Sequence, residues 1–83
     1  MFDEYEPSEE IITKINNAAS HYLLHCNTMS YVNDKEAICN EICKQVGLSE
    51  DNITNQDLLK AVSIFEKYAE KYFAKVIVNA IFN

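Results

Sequence analysis

The chain has 83 residues and a formal net charge of −6, and all seven of its Lys and Arg positions are Lys. That balance excludes a general DNA- or RNA-binding protein, because such proteins neutralise phosphates with excess positive charge and read guanine with Arg. One Gly and one Pro leave too few turns for a many-stranded fold, so a single all-α domain over residues 1–83 is expected.

Residues 1–7 form an acidic arm that carries Phe2 and Tyr5. Pro7 and Ser8 announce a helix. Ser8 suits the N-cap, and Glu9 and Glu10 suit the positive end of the helix dipole. Ile11, Ile15, Ala18, Tyr22, Cys26 and Met29 follow at spacings of three and four, which predicts an amphipathic helix over 9–30. Asn33 and Glu36 stand at capping-box spacing and Gly47 suits a C′ position, so a shorter helix is predicted over 34–46 with Ile38, Ile42 and Val46 as its stripe. The linker 48–53 lacks the ligand spacing and the mid-loop Gly of a calcium loop. From Thr54 to Phe82 there is neither Gly nor Pro, and Leu58, Val62, Phe65, Ala69, Tyr72, Val76 and Ala80 mark one long helix. The architecture expected is a long hairpin of the first and last helices with a short middle helix. Phe73, Ile77 and Ile81 widen the last apolar stripe beyond what one small chain can cover, so a homo-oligomer is expected.

The uncharged run Val76–Asn83 is far shorter than the ~20 apolar residues that cross a bilayer. The acidic start MFDEYEPSEE is the opposite of a signal or transit peptide, and three cysteines without one read as reduced thiols. A cytoplasmic, membrane-free location is the expectation.

Four groups of side chains could carry chemistry. Lys60, Lys67, Lys71 and Lys75 lie along one side of the last helix, and residues 55–83 carry net +1 against −7 for residues 1–54. They form a solvated face, pair with the acidic arm, or attract a phosphate ligand. His21 with His25 and Cys39 with Cys43 are i, i+4 pairs that could face each other as a Cys₂His₂ zinc site, but helix-borne pairs of this kind more often serve packing, and no metal is expected. Cys–His nucleophilic catalysis lacks a Cys at a helix N-terminus and a Gly-rich turn for an oxyanion hole, so no enzyme activity and no cofactor are expected. Finally, Tyr5 tethered by Pro7 either staples the arm to its own helix or acts as a stacking lid.

The order of these features resembles a phage family. A Tyr-x-Pro arm (Tyr5, Pro7) precedes a helix containing KINNAA (14–19), and a long last helix closes on VNAIFN (78–83). This is similar to the small helical phage anti-CBASS sponges, which sequester cyclic oligonucleotide signals. Asn79, Ala80, Ile81 and Asn83 occupy the family's C-terminal pattern, with Phe82 where the family carries Arg. The family's basic residue in the first helix falls nearest Asn16, with Lys14 two positions earlier. The resemblance implies a homohexamer that holds cyclic di- or trinucleotides between subunits and blocks an antiviral signalling pathway in the host cytoplasm without cleaving them. It implies Tyr5, Pro7, Lys14, Asn16 and Asn79 as ligand-binding residues. The competing reading is an acidic helical inhibitor that mimics nucleic acid and occupies a basic groove of a host enzyme. A zinc-stabilised structural module stands third.

Overall fold

The computed structural model describes Phe2 and residues 4–82. Asn83, the last residue of the C-terminal pattern, lies outside the described residues. Three α-helices carry the fold: α1 (Glu9–His25), α2 (Thr28–Gln45) and α3 (Asn55–Phe82), with a single 3₁₀ turn at Glu50–Asn52. No strand occurs among the described residues. Each helix packs against the other two. Lys14 meets Glu41 while His21 meets Asp34, so α1 and α2 run antiparallel. Lys35 meets Glu66 while Cys43 approaches Asp57, so α2 and α3 do the same. The result is an up-down-up bundle.

The caps explain the boundaries. Ser8 accepts the N–H of Ile11 at 3.3 Å, as its position before the acidic pair predicts. Thr54 and Asp57 cap α3 reciprocally: the Asp57 N–H donates to Thr54 Oγ1 at 3.2 Å, and the Thr54 N–H donates to Asp57 Oδ2 at 3.0 Å. The Thr54 N–H and, at 2.9 Å, the Thr54 hydroxyl both donate to the Asp57 carboxylate, which favours its charged form and holds Asp57 below the usual Asp value. At the end of α2, Gly47 takes φ 97°. The Leu48 N–H reaches the Cys43 carbonyl at 3.1 Å and the Gly47 N–H reaches Lys44 at 3.0 Å, which together make a Schellman motif.

The first corner departs from the expectation. The helix predicted over 9–30 stops at His25, and α2 begins at Thr28 rather than near Asp34. Cys26 adopts the left-handed region at φ 52°, and its N–H still closes on the Tyr22 carbonyl at 3.1 Å. Asn27 then caps α2 by accepting the Ser30 N–H at 3.0 Å. The chain therefore reverses in two residues without Gly or Pro. As a consequence α2 has 18 residues, matching the 17 of α1, and is not a short insert. Met29, read as the end of the first stripe, belongs to α2.

The core is small. It comprises Ile11, Ile15, Ala18 and Ala19 from α1, Ile38, Cys39, Ile42 and Cys43 from α2, and Ala61, Phe65 and Ala69 from α3. Phe65 is the largest fully buried side chain. Tyr31 meets its ring edge-on at 5.8 Å between centroids, and the Lys35 ammonium lies 5.6 Å from its centre. Four alanines share this core, and their small side chains allow the helix backbones to approach closely.

Helix length fixes the shape. At 1.5 Å per residue α3 is about 42 Å long and α1 about 26 Å, a mismatch of roughly 16 Å. The longest dimension of the molecule is 45 Å. The C-terminal part of α3 therefore extends past the hairpin of α1 and α2. Ile77, Val78, Ile81 and Phe82 remain exposed there, and so does Ala80 of the expected stripe.

Two outcomes follow from this core. Phe65→Ala should cost about 3–5 kcal/mol, the usual loss for a buried aromatic. A urea midpoint displaced by less than about 1 kcal/mol would show that Phe65 is not the centre of packing. Burial pushes the Cys39 thiol up to about 11 and raises Cys43 as well, whereas Cys26 is exposed. A neutral maleimide at pH 8 should therefore add at most one label to the native chain, at Cys26, and three in denaturant. Native labelling of Cys39 would contradict the packing described.

Candidate functional site

The five residues implied by the resemblance divide into two groups. On α1, Lys14 and Asn16 stand two positions apart, which is about 200° around a helix with 3.6 residues per turn. Asn16 faces α3 and Lys14 faces α2.

The Lys14 side is a groove of about 320 Å³ between α1 and α2, with Asn17, Ala18, Asp34 and Glu41 among its lining. Two carboxylates already engage the Lys14 ammonium, Glu41 at 2.9 Å and Glu10 at 3.5 Å. The hydrogen bond to Glu41 holds Lys14 above the usual Lys value. The arm lies on the same side. The Tyr5 hydroxyl donates to Gln45 Oε1 on α2, and its ring packs against the core as a partly buried group. Burial raises its phenol, with Glu41 and Tyr68 adding to the effect. Phe2 rests near α3, with the Lys60 ammonium 5.8 Å from its ring centre. Pro7 is partly buried just ahead of the Ser8 cap. The arm is thus docked along the bundle rather than stapled to α1 alone.

The Asn16 side is a groove of about 430 Å³ between α1 and α3. Asn16 and Ile12 form one wall. Tyr68, Lys71, Tyr72, Lys75, Val76 and Asn79 form the other. Asn16 and Asn79, drawn from opposite ends of the sequence, therefore meet in one place. The α3 wall follows helical spacing: positions 68, 71, 72, 75, 76 and 79 lie on one face. Lys71 sits over the Tyr68 ring at 4.9 Å. The volume falls within the range of about 300–1,000 Å³ typical of small-molecule sites.

The lysines are unequally committed. Each of the three in residues 1–54 has a carboxylate partner: Lys14 with Glu41, Lys35 with Glu66, and Lys44 with Glu50 at 2.7 Å. Among the described residues, none of the four on α3 has an acidic partner within 4.0 Å. Lys60, Lys67 and Lys71 lie over aromatic rings instead. Glu4 and Glu6, the described acids of the arm, form no ion pair with this stripe.

The His and Cys pairs do not converge. Cys39 and Cys43 are buried in the core, with Cys43 Sγ 3.9 Å from the Asp57 carbonyl oxygen. His21 and His25 are exposed near the end of α1, 6.0 Å apart between ring centroids, and His21 Nδ1 lies 3.9 Å from Asp34. No cluster of three or more His, Cys, Asp and Glu suited to a metal forms among the described residues.

Tyr68 did not stand out in the sequence. Its signal was available as an i, i+3, i+4, i+7 run of aromatic and basic residues, Tyr68, Lys71, Tyr72 and Lys75, partly hidden by the apolar stripe that shares α3.

No helix is long and apolar enough to cross a membrane among the described residues. No protein-family model, curated protein or solved structure matches the chain.

Proposed function

We propose that this chain is a non-enzymatic binding protein that sequesters cyclic oligonucleotide second messengers as a homo-oligomer in the cytoplasm of a host bacterium. The observation that carries the reading is the α1–α3 groove, where two lysines with no acidic partner among the described residues, two tyrosines and two carboxamides meet. Each suits one part of such a ligand. Lys71 and Lys75 complement the phosphates. Tyr68 and Tyr72 offer rings on which a base can stack, worth about 1–3 kcal/mol per base. Asn16 and Asn79 can donate to and accept from base edges. The resemblance to the phage sponges singled out Asn16 and Asn79 independently of this geometry, and it implies six copies with the ligand held between subunits.

Lys14, Tyr5 and Pro7 enter this reading differently. Within one chain Lys14 lies on the other flank of α1 and is engaged by two carboxylates, while Tyr5 bonds Gln45 on α2. Lys14 reaches the ligand only if a neighbouring subunit presents it. Binding without turnover fits the cysteines: Cys39 and Cys43 are buried, and the Cys39 thiol stays protonated at neutral pH.

The test is calorimetric titration against a panel of cyclic di- and trinucleotides. The wild-type chain should bind at least one. Lys71→Ala/Lys75→Ala should weaken that binding at least about tenfold, since a hydrogen bond to a charged group contributes about 1.5–3 kcal/mol and ~1.4 kcal/mol is one decade. Lys14→Ala should change it far less. The reverse ranking would move the site to the α1–α2 side. A second reading draws on the net −7 of residues 1–54, whose three lysines are all paired. Absence of nucleotide binding, together with salt-sensitive capture of a basic protein, would favour that acidic-mimic reading.

A further inference from the structure

One end of the bundle carries no formal charge. Residues 15–33 and 76–82 contain no Asp, Glu, Lys or Arg. The first stretch covers most of α1, the corner at Cys26 and the start of α2, and the second is the overhang of α3. Tyr22 places them at the same end: its ring lies 4.8 Å from that of Tyr31, within the first stretch, and 6.3 Å from that of Phe73, about one turn before the second. Ten large apolar side chains are exposed among the described residues, and nine of them fall in these two stretches, with Leu59 the exception. The exposures are high: Leu24 65%, Met29 72%, Ile81 69% and Phe82 79%. Charge and exposed apolar surface are therefore segregated along the molecule.

We propose that this end is the docking surface for a second copy of the same chain, with the α3 overhang of one copy lying against the shorter α1–α2 corner of the other. The shape suggests it. The overhang offers a protruding apolar ridge at Ile77, Ile81 and Phe82, and the corner offers an apolar step at Leu24, Met29 and Val32. One chain holds both halves, so a two-fold axis uses each of them twice.

Charge selects the occupant. Two copies at −6 each repel wherever carboxylates meet, and this end lets them touch without placing carboxylate side chains face to face. A basic or acidic partner gains no ion pair here. A lipid surface is a poor match, because interfacial helices combine their apolar face with Lys and Arg, and neither stretch has any.

This deepens the assembly part of the proposed function and is independent of the nucleotide part. Its experiment therefore contains no nucleotide. Sedimentation of the full chain from ~1 to ~100 μM should show association of the wild type, a range that reveals even a micromolar contact. Ile81→Glu and Leu24→Glu, on different helices, should each raise the dissociation constant at least about tenfold. Leu59→Glu, equally apolar and exposed but away from this end, should leave it unchanged. All three sites are exposed, so circular dichroism should show wild-type helix content. A wild type that stays monomeric at ~100 μM would overturn the proposal, and its partition onto phosphatidylcholine vesicles would assign the surface to lipid instead. Association that resists both Ile81→Glu and Leu24→Glu, or that Leu59→Glu disrupts equally, would also overturn it.

Discussion

The fold depends on the burial of one aromatic ring. Phe65 is the largest fully buried side chain, and it shares a single core with the small residues Ala18, Ala19, Ala61 and Ala69. Larger residues at those positions would push the helices apart, because cores of this density do not absorb extra volume cheaply. The same economy limits the core's reach. Its buried residues on α3 end at Ala69, thirteen positions before Phe82. Beyond that point Tyr72 and Phe73 are only partly buried against the core, and Ile77, Val78, Ile81 and Phe82 are exposed. A short chain with a long last helix thus leaves surface that needs covering.

The second constraint is how charge is shared out. α1 and α2 hold lysines among many acids, and each of those lysines is satisfied locally. α3 holds four lysines against three acids and satisfies none of the four with a carboxylate among the described residues. Ion pairs at such exposed positions contribute little to stability, typically about 0–1 kcal/mol. Their absence on α3 therefore costs the fold almost nothing while leaving cations available. That combination makes a binding role for the α1–α3 groove compatible with a protein that is acidic overall.

Much of this was legible in the sequence, and what was not has physical causes. Ser8 and Gly47 located the start of α1 and the end of α2 well, because each satisfies backbone groups through a local bond, and the run without Gly or Pro located α3. The α1–α2 corner was hidden because its left-handed residue is Cys26, a type that rarely adopts that conformation, and because Asn27 looks ordinary inside an apolar rhythm. Cys39 and Cys43, read as a pair more suited to packing than to metal, both lie on the buried face of α2. For the site, spacing brought the lysines of α3 to one side, and the resemblance pointed to Asn16 and Asn79. Their meeting required the relative placement of α1 and α3. The opposite directions of Lys14 and Asn16 followed from helical geometry alone, yet only the positions of α2 and α3 gave each direction a meaning.

The uneven placement of the lysines also makes the chain an electric dipole. Residues 1–54 carry −7 and residues 55–83 carry +1, across a molecule only 20–45 Å wide. At physiological ionic strength the Debye length is about 8 Å, so this field acts on an approaching solute only within its last few molecular layers. Within that distance a small anion is turned away from α1 and α2 and guided along α3. Net charge therefore misjudges what the molecule attracts. The encounter rate with an anion is set by the local field of one helix, and it changes with salt in the opposite sense from that expected of a uniform −6 sphere.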